Sequence, residues 1–127
     1  GVAQLRDRVM GAVAVARDER VASLPGMTRS PPSFSAYQAF DLAFERYLAQ
    51  QYRDALVGFR EAFSRDTTFS AALLFGARAA WNTGEFAVAD TLLQRARVRE
   101  RELGDYFLSS LRFLESLMRG DGAGPRA

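Results

Sequence analysis

The sequence contains no cysteine, histidine, lysine or isoleucine. Without cysteine and histidine, the chain cannot form a disulfide, a zinc site built on those ligands, a thiol nucleophile or a Ser-His-Asp triad. A site made of carboxylates alone remains open, but no pair of acidic residues is arranged as a general acid and base. We therefore predict that the chain is not an enzyme and that it holds no cofactor and no metal.

All 17 basic residues are arginine, and with 15 acidic residues they give a formal net charge of +2. The plainer interpretation of this bias is the codon usage of a GC-rich genome. The alternative is selection for bidentate recognition of anions, which arginine performs better than lysine. Because the basic excess is small and nucleic-acid-binding domains usually concentrate their bases on one face, the composition argues against nucleic acid as a partner.

The length of 127 residues is that of one domain, and 48% of the residues are apolar. No apolar run approaches the ~18 to 20 residues that a membrane span needs, and the N-terminus lacks the pattern of a signal peptide. We therefore expect no membrane span and assign the cytoplasm by default. The chain begins with Gly1 instead of a methionine, and we expect Gly1 to be either a residue added for expression or the start of a piece cut from a longer protein.

The hydrophobic pattern predicts helices throughout and no strand. Residues 1–24 read as an N-terminal amphipathic helix, with an apolar stripe of Val2, Leu5, Val9, Ala12, Val13 and Ala16. Residues 25–35 are rich in proline and serine and read as a linker, with Ser33 or Ser35 as the N-cap of the next helix. Further helices are predicted at residues 36–49, 52–65, 70–82, 85–102 and 106–118, before a flexible Gly-rich tail at residues 120–127.

A unit of 34 residues occurs twice between residues 36 and 96. Small residues recur at this offset, as do large ones: Tyr52 and Phe59 are followed by Phe86 and Leu93. The small residues of the first unit and their counterparts in the second are Ala43, Ala55, Ala62, Ala77, Ala89 and Ala96. A fixed period of this length indicates helix pairs that stack, with small residues allowing close approach and large ones filling the gaps.

With these residues the chain resembles the tetratricopeptide repeat (TPR) family, over about two thirds of its length and as an array of about two and a half repeats. Gly84 matches the glycine of the family's turn, whereas Gln50 stands where glycine is usual, Thr67 where proline is usual and Leu93 where an aromatic is usual. The resemblance implies an all-α fold of antiparallel helix hairpins stacked as a right-handed solenoid over residues 36–119, with an extra N-terminal helix. The N-terminal helix and linker loosely resemble the lead-in to such arrays in large bacterial proteins.

In TPR proteins the first helix of each repeat lines a concave groove that holds an extended peptide or a partner helix. The resemblance therefore implies a non-catalytic protein-interaction module with a groove of aromatic and arginine side chains, the residue types that anchor interfaces. The positions that would line it are Tyr37, Phe40, Phe44, Tyr47, Arg78, Trp81, Asn82 and Arg112. The family's clamp for chaperone peptides uses lysine and asparagine. Because Phe40 and Phe44 occupy the clamp positions here, that ligand is not expected.

Three alternatives stay open at this point. The N-terminal helix can pack into or beside the groove, so that the aromatic residues are plain core. The chain can be a structural spacer or a self-associating, homo-oligomeric domain. Finally, it can be a helical repeat that binds RNA weakly, in which case its affinity should fall steeply with salt.

Overall fold

The computed structural model describes residues 1–22, 31–99, 109 and 111–116. These residues form helices and contain no strand, so the predicted all-α class is confirmed. Residues 111–116 are helical and are called here the C-terminal helical segment. The helices before it are α1 (Val2–Arg17), α2 (Glu19–Ala22), α3 (Phe34–Leu48), α4 (Tyr52–Arg65), α5 (Ser70–Thr83) and α6 (Phe86–Val98).

The helix predicted for residues 1–24 is interrupted at Asp18, so its described part forms two helices instead of one. Asp18 adopts an extended conformation (φ −102°, ψ 94°), and its Oδ1 accepts a hydrogen bond of 3.3 Å from the N–H of Val21. A short acidic side chain that binds the backbone of the next turn competes with continuation of the helix. α2 therefore starts as a separate turn. Residues 23–30 lie outside the described residues.

Helix α3 begins at Phe34, two residues earlier than predicted, because Ser33 caps it. The Oγ of Ser33 accepts a hydrogen bond of 3.2 Å from the N–H of Ala36. One of the two predicted N-caps is thus confirmed, while the other candidate, Ser35, lies inside the helix.

Two antiparallel hairpins, α3–α4 and α5–α6, carry the same aromatic contact beside their turns. The rings of Tyr47 and Tyr52 are 5.3 Å apart at the first turn, and those of Trp81 and Phe86 are 4.6 Å apart at the second. The two pairs are offset by 34 residues. The sequence repeat therefore corresponds to a repeated local packing.

The two turns also place a residue in the left-handed region of backbone conformation. Gly84 has a φ of 81° and Gln50 a φ of 63°. Glycine enters this region without steric cost, whereas a residue with a side chain loses ~1 to 2 kcal/mol there. The first turn thus adopts the backbone of the second in spite of its glutamine.

The core lies around α5, which packs against α4 on one side and α6 on the other. All six repeated alanines are buried in it. The ring of Phe40 is central to an aromatic cluster, with Phe69 at 5.0 Å and Phe59 at 5.3 Å between ring centroids. Leu111 and Leu114 of the C-terminal helical segment are also buried. The rest of the predicted last helix and the tail at residues 120–127 lie outside the described residues.

Helix α1 packs against α3 and the residues before it. The closest approach is at Gly11, where any Cβ atom would collide with the carbonyl oxygen of Pro32 and lie 2.7 Å from the amide nitrogen of Phe34. Val15, one turn later, is fully buried. None of the helices in the described ranges combines the length and the apolar character that crossing a membrane requires.

Candidate functional site

The predicted groove residues Phe40 and Phe44 lie in the core. Their side chains are 0% and 7% exposed, and both rings pack edge-on against Phe75 of α5, at 5.7 and 5.6 Å. Phe75 thus fills the space between α3 and α5. A partner could not reach these two side chains without opening the hydrophobic core.

The N-terminal end of the predicted groove is occupied by the chain itself. The hydroxyl of Tyr37 donates a hydrogen bond of 2.8 Å to Oδ2 of Asp18, at the junction of α1 and α2. The ring of Tyr37 is half-buried and lies 6.2 Å from that of Phe34. The N-terminal region thus contacts one of the residues predicted to line the groove, Tyr37.

Four of the predicted residues lie toward the opposite end, near the last turns of α3 and α5, on a surface that we call the α5 rim: Tyr47, Arg78, Trp81 and Asn82. The guanidinium carbon of Arg78 lies 6.0 Å from the centroid of the Tyr47 ring. Trp81 and Asn82 follow Arg78 by three and four residues, which places all three on one side of α5. Asn82 is exposed, and the other three are partly exposed.

Arg78 is oriented by aromatic rings and not by an acidic residue. Its guanidinium also lies 5.8 Å from the Phe75 ring centroid, so two aromatic rings hold the cation. Within the part of the chain that the structure describes, no carboxylate forms an ion pair with it. Because a contact with an aromatic ring does not pair the guanidinium with a hydrogen-bond acceptor, the N–H donors of Arg78 are left for a ligand such as a carboxylate.

Phe86 flanks the α5 rim, although the sequence repeat gave it the same packing role as Tyr52. Its side chain is 51% exposed beside Trp81. The repeat offset identifies equivalent positions but cannot show which of them remains exposed to solvent.

Arg112 lies apart from this group in the sequence, on the C-terminal helical segment, and its side chain is exposed. An ion pair of 2.6 Å between Arg97 and Glu115 joins that segment to α6.

A second concavity lies between α4 and α6. It is an open cleft of about 200 Å³ whose lining includes Arg60 and Arg95. Apart from these two, the lining consists of short α6 side chains and includes no aromatic anchor. It is the weaker candidate because it offers charge without the aromatic contacts of the α5 rim.

Asp66 is a buried charged residue that sequence reasoning missed. Its carboxylate accepts hydrogen bonds from the Thr68 hydroxyl at 2.6 Å, the Thr68 N–H at 3.1 Å and the Ser33 N–H at 3.0 Å, and it pairs with Arg8 at 2.9 Å. Burial by itself raises the pKa of Asp66, but the bonds from Thr68 and Ser33 and the charge of Arg8 outweigh it and lower the pKa. This set of partners makes Asp66 a structural group. An aspartate followed by threonines at a helix end was the available signal.

Comparison with known proteins identifies no relative of this chain. No family model, no curated protein and no solved structure matches the chain. The geometry of the α5 rim is therefore the basis on which a function is inferred. In the described ranges no group of acidic residues is arranged to hold a metal ion.

Proposed function

We propose that this chain is a TPR-like module that binds a protein ligand, a peptide or a partner helix, without catalysis. The ligand lies on the α5 rim. The observation that carries the proposal is the position of Arg78, whose guanidinium is held by the rings of Tyr47 and Phe75 and has no carboxylate partner among the described residues. A pre-oriented arginine beside an aromatic side chain is the kind of anchor that dominates protein interfaces.

Three features support a TPR-like arrangement of the hairpins. The six alanines at the family's small positions are buried. The aromatic pair beside the first turn recurs beside the second. Gln50 and Gly84, at equivalent positions, both have a positive φ. Stacking of the two hairpins as a right-handed solenoid is the arrangement that we propose from these features.

The accessible part of the groove is short, which limits the ligand. Phe40 and Phe44 are covered by Phe75, and Tyr37 is bound by Asp18. The α5 rim thus accommodates a few residues of a ligand, one of which supplies a carboxylate to Arg78. Trp81 and Phe86 offer apolar contact beside it.

A random peptide library selected on the immobilised chain tests this proposal. We expect the enriched peptides to contain acidic residues next to an apolar one. Calorimetric titration of these peptides should show that Arg78→Ala weakens binding about tenfold, as expected for the loss of ~1.4 kcal/mol. Trp81→Ala should weaken it similarly.

Arg60→Ala is the matched control, because Arg60 is an exposed arginine that lines the other cleft. This variant should bind the selected peptides like the wild type. Failure to enrich any peptide, or equal loss of affinity in the Arg60 and Arg78 variants, would contradict binding at the α5 rim.

A further inference from the structure

Helix α1 presents an apolar stripe to solvent. Among the described residues, eleven large hydrophobic side chains are exposed, and five of them lie on this one helix. These five, which we call the α1 stripe, are Val2, Leu5, Val9, Met10 and Val13. Contiguous exposed apolar surface of this kind usually marks an interaction site. The stripe predicted from the sequence therefore exists, but it faces away from the core.

The contacts on the opposite face hold this orientation in place. Gly11 lies against Pro32 with no room for a side chain, and Val15 is fully buried. Oδ1 of Asp7 accepts a hydrogen bond of 3.3 Å from the N–H of Ser35. Because Asp7, Gly11 and Val15 are spaced by four residues, they lie on one side of a helix with 3.6 residues per turn. The α1 stripe cannot turn inward while these contacts are kept.

The spacing of the α1 stripe fits another helix. Val2, Leu5 and Val9 follow one another at intervals of three and four, and Ala12 and Ala16 extend the same line. Apolar residues at alternating steps of three and four form the narrow seam along which two helices pack. The stripe contains no aromatic residue and a single leucine, whereas helices that lie in a membrane surface usually insert several tryptophan, phenylalanine or leucine side chains over a broad face.

The charges beside the α1 stripe select the partner. Arg6 and Arg17 lie on one side of the seam formed by Val2, Leu5 and Val9, and in the described part of the chain neither has an ion-pair partner. Arg8 lies toward the other edge, while the acidic Asp7 is turned toward α3. A second copy of this chain would place arginine against arginine, and like charges across an interface are unfavourable.

We propose that the α1 stripe is a docking site for an amphipathic α-helix of another protein, whose apolar seam is flanked by aspartate and glutamate. The apolar seam supplies the contact area, and the acidic flanks pair with Arg6 and Arg17. This site is separate from the α5 rim, so the proposal does not depend on the function proposed above.

Two synthetic helical peptides with the same leucine seam test the proposal. One carries glutamate at the flanking positions and the other carries lysine at the same positions. Fluorescence anisotropy with the full 127-residue chain should show about tenfold tighter binding of the glutamate peptide at low salt. The preference should shrink as salt is added, because screening weakens exposed ion pairs.

Variants identify the surface that binds. Leu5→Gln/Val9→Gln should lower the affinity for the glutamate peptide about tenfold. Arg6→Gln/Arg17→Gln should abolish the preference for glutamate over lysine. Val57→Gln is the matched control, since Val57 on α4 is as exposed as Leu5, at 66%, and should leave binding unchanged. Circular dichroism should match the wild type for all variants, because the replaced side chains are on the surface.

Four results would overturn the proposal. The first is equal or undetectable binding of the two peptides. The second is binding that survives Leu5→Gln/Val9→Gln. The third is a dimer in light scattering that this double variant abolishes, which would make a second copy the occupant. The fourth is binding of the chain to phosphatidylserine vesicles through the stripe without binding of the glutamate peptide.

Discussion

Arg8 in α1 and Asp66 at the end of α4 form an ion pair in which Nη1 and Oδ2 are 2.9 Å apart. The same carboxylate accepts the N–H of Ser33 before α3, and both the N–H and the hydroxyl of Thr68 before α5. One buried side chain therefore joins the N-terminal helix to three other segments. The position of α1, and with it the direction of the α1 stripe, depends on this group.

Replacing Asp66 by asparagine should destabilise the chain by about 2 to 3 kcal/mol, because a buried acceptor bound by several donors is lost and an N–H₂ group then faces them. Urea denaturation followed by circular dichroism measures this change. Glu61→Gln is the control, since Glu61 pairs with Arg65 in an exposed i, i+4 bridge worth only ~0.2 to 0.5 kcal/mol. Equal effects of the two substitutions would contradict the role given to Asp66.

The stabilising effect of Asp66 should depend on pH in the acidic range. The pKa of Asp66 is lowered in the folded chain from its ordinary value of 3.8. As the pH falls, Asp66 is therefore protonated in the unfolded chain before it is protonated in the folded chain. The contribution of Asp66 to the free energy of unfolding is therefore full above pH 3.8. It is lost as the pH falls through the lowered pKa of the folded chain. Urea midpoints of the wild type and of Asp66→Asn, measured across the acidic range, should converge at the lowest pH. A constant difference would contradict the lowered pKa.

Gly11→Ala should destabilise the packing of α1. The new Cβ would meet the backbone oxygen of Pro32, which no side-chain rotation can move. Such overpacking costs about 1 to 3 kcal/mol, which offsets or exceeds the ~1 kcal/mol that alanine gains over glycine in a helix. Hydrogen exchange of α1 amides should accelerate. Gly1→Ala, where a Cβ meets open space, should leave the exchange of α1 unchanged.

Substitutions in the two hairpin turns should have opposite effects on stability, because one introduces a glycine and the other removes one. Gln50→Gly should stabilise the chain by up to ~1 kcal/mol, because the left-handed backbone costs more for glutamine than the extra chain entropy of glycine does. Gly84→Ala should destabilise it by about 1 kcal/mol for the same reason. Thermal unfolding measures both. A destabilising Gln50→Gly would show that the side chain of Gln50 makes a contact that outweighs its backbone strain.

Removing a buried aromatic ring should destabilise the chain more than removing an accessible one. Phe40→Ala, at the centre of the aromatic cluster, should cost about 3 to 5 kcal/mol. Phe86→Ala should cost below ~1 kcal/mol, as expected for a surface substitution, since half of its side chain is in solvent. Urea denaturation of the two variants measures both losses of stability. Comparable losses of stability would indicate that Phe86 also belongs to the core.

Much of the helical framework was predictable from local patterns. The predicted helix at residues 52–65 matches α4, Tyr52–Arg65, and α5 differs from its prediction by one residue at its end. The period of the apolar residues and the capping residues act within one or two turns, so they can be read without tertiary information. The burial of the repeated alanines follows from the same periodicity.

The functional surface was less predictable. Tyr47 stays partly accessible while Phe40 and Phe44 on the same helix are buried, although Phe75 of α5 packs edge-on against all three rings. Such coverage depends on the relative position of two helices that are distant in the chain. The network of Asp66 was missed for the same reason, since its partner Arg8 is 58 residues away.

Local patterns were enough to predict the all-α class, the helix periods, the repeated aromatic and alanine positions, and an apolar stripe on α1. The directions in which these faces point depend on long-range packing. Periodicity shows that a helix has an apolar side but not which neighbour it meets. Here the close approach at Gly11 and the anchoring of Arg8 by Asp66 turned the stripe of α1 outward. The large side chain of Phe75 closed part of the groove that the repeat pattern alone would leave open.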